Sequence, residues 1–249
     1  MVGAEPFSAA GGPDGVLVLH GFTGSPFSMR GVAEKLADAG FAVELPRLPG
    51  HGTAVEDLIP TRWADWSRAA EEAYLELSVR CRKVAAVGLS MGGTLACWLA
   101  ERHPDLCGIA VVNPLVEPAG AELTDAVRSM LDAGTPTVPG IGSDIARPGA
   151  NELSYGATPL EPALSLFEAV EEVCDDLGKI ACPVLLFSSR QDHVVPPSNG
   201  DLLESSVAGP CERVWLERSY HTATLDYDRD EIDARTVAFV HDVTAGAAS

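Results

Sequence analysis

The sequence predicts an α/β fold: a mostly parallel central sheet flanked by helices, with a small cap inserted into it. Three observations predict it. Short apolar runs alternate with helically periodic segments along most of the chain. Residues 84–104 read VAAVGLSMGGTLACWLAERHP, an apolar run that ends in Gly-Leu-Ser-Met-Gly and opens a helical pattern. Residues 117–160 break the alternation and are rich in Pro and Gly toward their end.

The elements follow in order. GVLVLHG, residues 15–21, is the first clear strand. SMRGVAEKLADAG is a helix with Gly40 as its stop signal. FAVELPRL is the second strand and PGHGT a loop. Residues 61–80 place Trp63, Trp66, Ala70, Ala73, Tyr74 and Leu77 at helical spacing, with Thr61 as the expected N-cap. KVAAVGL is a strand, a helix follows Ser90, and CGIAVVN is the next strand. The rhythm resumes at ACPVLLFSSRQD, residues 181–192, then a helix near 198–207, a strand ERVWLE and a final helix near 229–244. Between these parts, AELTDAVRSMLDAG reads as one short amphipathic helix with Leu123, Val127 and Met130 on a face. Long irregular stretches inside compact domains are usually lids or binding loops. Residues 117–160 are therefore expected to form a cap, the alternative being a plain surface excursion, within a single domain spanning 1–249.

Composition narrows the function. The chain has 249 residues, 46% of them apolar, enough for a large core. A formal charge of −19 argues against partners such as nucleic acid or anionic membrane surfaces. Cys81, Cys97, Cys107, Cys174, Cys182 and Cys211 form no CxxC pair and no Cys/His ligand spacing, so no zinc site is expected. MVGAEPFSAAGGPDG has no basic region followed by an apolar core, and no run approaches the roughly 18 apolar residues of a membrane span. A cytoplasmic protein is the expectation.

The serine between glycines has an ordinary reading, a turn. It also has a chemical one. On a sharp strand-to-helix turn, small flanking residues let the backbone bend, and the serine hydroxyl stands exposed at the head of a helix whose positive end suits an oxyanion. In a chain with 24 glycines the pattern alone says little; its place between a strand and a helix says more. A serine hydroxyl needs a base, and the base an orienting acid. His20 and His51 precede Ser90, and His241 lies in the last helix. His103 sits down the same helix as Ser90, roughly 20 Å away at about 1.5 Å per residue. His193 directly follows Asp192, while His221, in ERSYHTATLD, lies on a loop after a strand and is the expected base. Asp192 is the first carboxylate after PVLLFSSRQ and is the expected acid, ahead of Asp226 and Asp228, which follow His221. Two backbone N–H groups should form the oxyanion hole: that of Met91, next to the nucleophile, and that of Phe22 in LHGFTGSP. His20 and GHG at 50–52 read as loop-shaping.

Together GVLVLHGFTGSPFSMR, LPRLPGHGT, VGLSMGGTLACWLAERHPDLCGI, QDHVVPPSN and SYHTATLDYD resemble the α/β-hydrolase superfamily, and most closely the bacterial monoacylglycerol lipases and small carboxylesterases. The likeness covers nearly the whole chain and extends to IGSDIARPGANELSYGATP in the cap. It implies Ser90, Asp192 and His221 as a triad, Phe22 and Met91 as oxyanion donors, and no cofactor. It also implies that Ile141 lines the cap and that Glu152 accepts a hydrogen bond from a glycerol hydroxyl; a carboxylate in a polar loop is otherwise simply solvated. Met130, Leu131, Val138 and Ile141 are the expected walls of an acyl pocket. The oxyanion loop reads HGFTG where many lipases carry HGGG, a bulkier loop expected to disfavour large or tertiary-alcohol esters. The expected activity is cleavage of a small lipid ester, a monoacylglycerol, to fatty acid and glycerol. The alternatives are a general carboxylesterase or thioesterase on short to medium acyl esters, or a non-catalytic ligand-binding member of the fold. An exposed apolar cap would allow at most weak membrane contact, or a homodimer.

Overall fold

In the computed structural model, which describes residues 1–245, seven strands form one sheet. The strands are β1 (Phe7–Ala9), β2 (Asp14–Leu19), β3 (Ala42–Leu45), β4 (Lys83–Leu89), β5 (Leu106–Val112), β8 (Val184–Ser189) and β9 (Cys211–Leu216), in the order β1-β3-β2-β4-β5-β8-β9. Only the β1–β3 pair is antiparallel. Two further short strands, β6 (Thr137–Pro139) and β7 (Ala157–Pro159), pair antiparallel outside this sheet. The helices are α1 (Arg30–Asp38), α2 (Val55–Leu58), α3 (Trp63–Arg80), α4 (Met91–Arg102), α5 (Ala121–Asp132), α6 (Leu160–Asp176), α7 (Ser198–Ser206) and α8 (Arg229–Ala245).

The sheet is buried on both faces, which is why its strands read as continuous apolar runs. Alternate residues of β2 divide between two cores. Leu17 and Leu19 pack with Trp66, Leu95 and Leu166 of α3, α4 and α6. Val16 and Val18 pack with Leu36, Ile232 and Val240 of α1 and α8. The period of two in the strand becomes the two sides of a three-layer sandwich.

Four departures from the sequence reading have physical causes. Strand β1 is three residues long and pairs only at the edge, too short to show alternation. Helix α3 starts at Trp63, with Arg62 rather than Thr61 as N-cap: the Asp65 carboxylate accepts the Arg62 N–H at 3.0 Å. Thr61 instead donates its hydroxyl to Leu58 O at 2.8 Å and accepts from Trp66 Nε1 at 3.1 Å. Helix α6, which the sequence reading left unassigned, carries its buried Leu166, Val170 and Val173 at helical spacing. On α5 only Val127 of the expected face is buried; Leu123 and Met130 remain exposed.

Crossing direction sets the site. The chain runs from β2 out to β3 and returns to β4 on the other side of β2, which leaves a crevice beyond the carboxyl ends of β2 and β4. Phe22 follows β2, Ser90 follows β4, Asn113 follows β5, Asp192 follows β8 and His221 follows β9.

One carboxyl without a partner works against the fold at high pH. Glu101 on α4 has its Oε1 buried with no hydrogen-bond partner among the described residues. Burial, then the nearby Asp176, pushes its carboxyl up to about 8. In the unfolded chain it titrates in the ordinary range near 4.3. Between those values the folded state holds a proton that the unfolded state has released, so stability falls as pH rises through this window. Glu101→Gln is therefore expected to raise Tm at pH 8, with the gain closing below about pH 5; thermal melts of both proteins across that range check it.

Candidate active site

Ser90 sits at φ 56, ψ −120, the junction of β4 and α4. This is a region that only glycine enters freely, and holding a serine there costs on the order of 1–3 kcal/mol. The surrounding backbone enforces it. Ser90 N–H donates to Val112 O at 3.0 Å, and Ser90 O accepts from Thr94 N–H at 3.1 Å. A Cβ on Gly92 would lie 2.2 Å from Leu19 O, and one on Gly88 would lie 2.1 Å from Gly92 O. Both glycines are required because backbone meets backbone, which explains the spacing seen in the sequence. Met91 opens α4, so its N–H is among the first-turn amides with no intrahelical acceptor. The Phe22 N–H likewise donates to no acceptor among the described residues.

Asp192 and His221 come together at the far side of the crevice. His221 Nδ1 donates to Asp192 Oδ2 at 2.8 Å, and the Asp192 side chain is 1% exposed. Asp192 Oδ1 accepts from Val194 N–H and Val195 N–H, both at 2.8 Å. Those two amides fix the carboxylate, leaving one oxygen for the imidazole. Ser90 and His221 both face one cavity of about 540 Å³.

The loop bearing His221 is braced by a residue that sequence reasoning did not single out. Asn113 has φ 45, and its Nδ2 donates to His221 O at 2.8 Å and to Ser189 Oγ at 2.9 Å. Its Oδ1 accepts Ser189 N–H at 2.7 Å. The available signal was an asparagine ending an apolar strand, a residue type that tolerates positive φ.

Other histidines have other work. His20 Nε2 accepts Leu48 N–H at 3.2 Å, and burial pulls its pKa down to about 4. Burial likewise pulls His51 down to about 3. Both are neutral near pH 7. They stack edge-on, with His51 against Phe22 and Trp66, and so shape the loop that carries the Phe22 amide. His103 bonds to Glu71 at the end of α4, away from Ser90.

The cavity walls differ from expectation. Ile141 lines it, as do Leu123 of α5 and Ala163, Leu166, Phe167 and Val170 of α6. Met130, Leu131 and Val138 lie outside it. Helix α6 packs against α3, α4 and α5 and turns Ala163, Leu166, Phe167 and Val170 to the cavity, while β6 contributes no lining residue. Glu152 also lines the cavity. Thr222 Oγ1 donates to Glu152 Oε2 at 3.4 Å, and Glu152 N–H donates to Ser143 Oγ at 2.8 Å. Burial pushes the Glu152 carboxyl up, against the opposing pull of His221 and Thr222. Gly24 makes room for it: a Cβ there would stand 2.7 Å from Glu152 Oε1. The segment after Glu152 is stitched to the loop that follows β2, with Ser25 Oγ donating to Leu153 O at 2.9 Å and Tyr155 N–H to Thr23 O at 3.0 Å.

Residues 13–228 match the family described as serine aminopeptidase, S33. The chain belongs to that family. It is a serine hydrolase of the α/β-hydrolase superfamily, and its sheet order fits that fold. A thermostable monoacylglycerol lipase from Bacillus sp. (strain H-257) is 46% identical over 96% of this chain and 95% of its own length. A carboxylesterase from Bacillus subtilis (strain 168) is 26% identical over 96% of this chain and 97% of its own. Among solved structures, a chain from work on LipS and LipT, two metagenome-derived lipolytic enzymes, aligns with TM-score 0.93 and 41% identity, over 97% of this chain and 98% of that chain.

Proposed function

We propose that this protein hydrolyses monoacylglycerols to fatty acid and glycerol through an acyl-enzyme on Ser90. His221 takes the proton from Ser90 as its oxygen attacks the ester carbonyl. The developing oxyanion rests on the N–H groups of Phe22 and Met91. Asp192 holds the imidazole in the tautomer that presents Nε2 to the serine and stabilises the imidazolium. His221 then gives its proton to the departing glycerol oxygen, and a water repeats the sequence to release the acid. Side chains, two backbone amides and water supply every step.

The observation that carries the reading is the shape of the cavity. Ser90 and His221 open onto an apolar chamber walled by α6, large enough for an acyl chain, with one largely buried carboxylate, Glu152, beside His221. A carboxylate accepts from two neighbouring hydroxyls and rejects a second acyl chain at the same place. The identity to a monoacylglycerol lipase over nearly both full lengths supports it. Residues 117–160 act as the cap over this chamber. No helix of the described residues is long and apolar enough to cross a membrane. The same reading places the enzyme in the cytoplasm, with contact to lipid limited to the exposed Leu123, Met130 and Ile141 around the cap.

The experiment is kcat/KM for a monoacylglycerol series against matching p-nitrophenyl, di- and triacyl esters of equal chain length. A preference for monoacylglycerols is expected. Glu152→Ala should lower kcat/KM for monoacylglycerols by roughly 10- to 100-fold, since a lost charge-assisted hydrogen bond is worth about 1.5–3 kcal/mol, while p-nitrophenyl esters react as before. Equal rates on all esters in the native protein would make it a general carboxylesterase.

A further inference from the structure

Asp144 belongs to the cap segment, yet its carboxylate is bonded to the loops that carry both Asp192 and His221. Its Oδ2 accepts His221 N–H at 3.0 Å and His193 N–H at 3.1 Å. Its Oδ1 pairs with His193 Nδ1 at 2.8 Å. Its own carbonyl accepts Thr222 N–H at 3.0 Å. The side chain is 13% exposed and lines the cavity. The next residues are held by a second carboxylate. Asp226, 1% exposed, accepts Ala146 N–H at 2.6 Å and Arg147 N–H at 2.9 Å from the cap, and Tyr220 N–H at 3.0 Å and Tyr227 N–H at 2.8 Å from the His221 loop. Arg147 Nη2 closes the clasp on Leu225 O at 2.8 Å.

Below, the sheet already braces this loop through Asn113. Bracing from one side leaves the loop free to tilt. A single oxygen shared by the amides of His221 and of the residue after Asp192 fixes the spacing between the two loops as well as the height of each. We propose that Asp144 is a positioning residue for the Asp192–His221 pair, the strut through which the seated cap sets the angle of the base toward Ser90. The proposal rests on the triad reading above. It makes the cap part of the catalytic scaffold and not only a wall for the acyl chain.

The test compares Asp144→Ala and Asp144→Asn on p-nitrophenyl acetate, a substrate too short to fill the cavity. Asparagine keeps one oxygen for the two shared amides, and its NH₂ can face His193 Nδ1 in the other tautomer. Alanine leaves both amides without an acceptor. A tilt of about 1 Å in a catalytic group costs on the order of 100-fold. Asp144→Ala is expected to lower kcat by roughly 10- to 100-fold with KM within about twofold, and to slow covalent labelling of Ser90 by a phosphonate by the same factor. Asp144→Asn should recover kcat to within about threefold of the native value. A fall confined to KM, or equal damage by alanine and asparagine, would overturn the proposal. If the alanine variant does not fold, Asp144→Glu carries the test, because it keeps the charge and the acceptors but moves them by one methylene; native kcat in that variant overturns the proposal. Ser90→Ala is run in parallel. Turnover surviving in Ser90→Ala refutes the triad itself, whereas a dead Ser90→Ala beside a fully active Asp144→Ala or Asp144→Glu refutes the strut alone.

Discussion

Ser90→Ala is expected to lower kcat on any ester by on the order of 10⁴- to 10⁶-fold while leaving Tm within a degree or two of the native value. The two halves of that result have separate causes. Turnover falls because the attacking oxygen is gone and no other hydroxyl stands at the head of α4 between Gly88 and Gly92. Stability is unchanged because alanine keeps the Cβ and therefore the strain of φ 56. Ser90→Gly separates the two. It loses the same oxygen but enters that conformation without penalty, so it should be inactive and more stable by about 1–2 kcal/mol, less the extra chain entropy that glycine loses on folding. The difference measures what the fold gives up to hold a serine at this turn. Ester hydrolysis and thermal unfolding of the three proteins check it. An active Ser90→Ala would remove the serine from the mechanism.

The sheet and the Asp192–His221 contact were legible in the sequence because each rests on local signals. A strand buried on both faces is an apolar run, and a sharp strand-to-helix turn needs glycines where backbones touch, as at Gly88 and Gly92. Asp192 and His221 could be placed because strand ends in this topology share one edge of the sheet. What stayed hidden depends on contacts between distant segments. The cavity wall on α6 could not be told from its core face, since Leu166 and Val170 belong to both and only tertiary packing opens them to the cavity. Asn113 and Asp144 bond to backbone amides and carbonyls 49 to 108 residues away, and backbone groups leave no trace in residue identity. Leu123, Val127 and Met130 sit at helical spacing, but only Val127 is buried, because α5 lies on α6 and not on the sheet, and Leu123 faces the cavity.

Asp192→Asn is expected to lower kcat on the order of 10⁴-fold with little loss of stability. The argument starts from how the carboxylate is held. Oδ1 is committed to the N–H groups of Val194 and Val195, so an asparagine must place its oxygen there and turn its NH₂ toward His221. The ring then has to accept at Nδ1, where it now donates to Asp192 Oδ2. Its proton moves to Nε2, the nitrogen that the proposed mechanism turns toward Ser90, and a protonated Nε2 cannot take the serine proton. The geometry survives and the base is lost. Asp192→Ala behaves differently: both valine amides are left buried without an acceptor, at about 1–3 kcal/mol each, so that variant should lose stability together with activity. Folded but inactive Asp192→Asn beside destabilised Asp192→Ala is the expected pair, read from circular dichroism melts and initial rates on one ester. Appreciable turnover by Asp192→Asn would mean that His221 is oriented by something other than this carboxylate. The backbone braces at Asn113 and Asp144 would then be holding the ring by its loop alone.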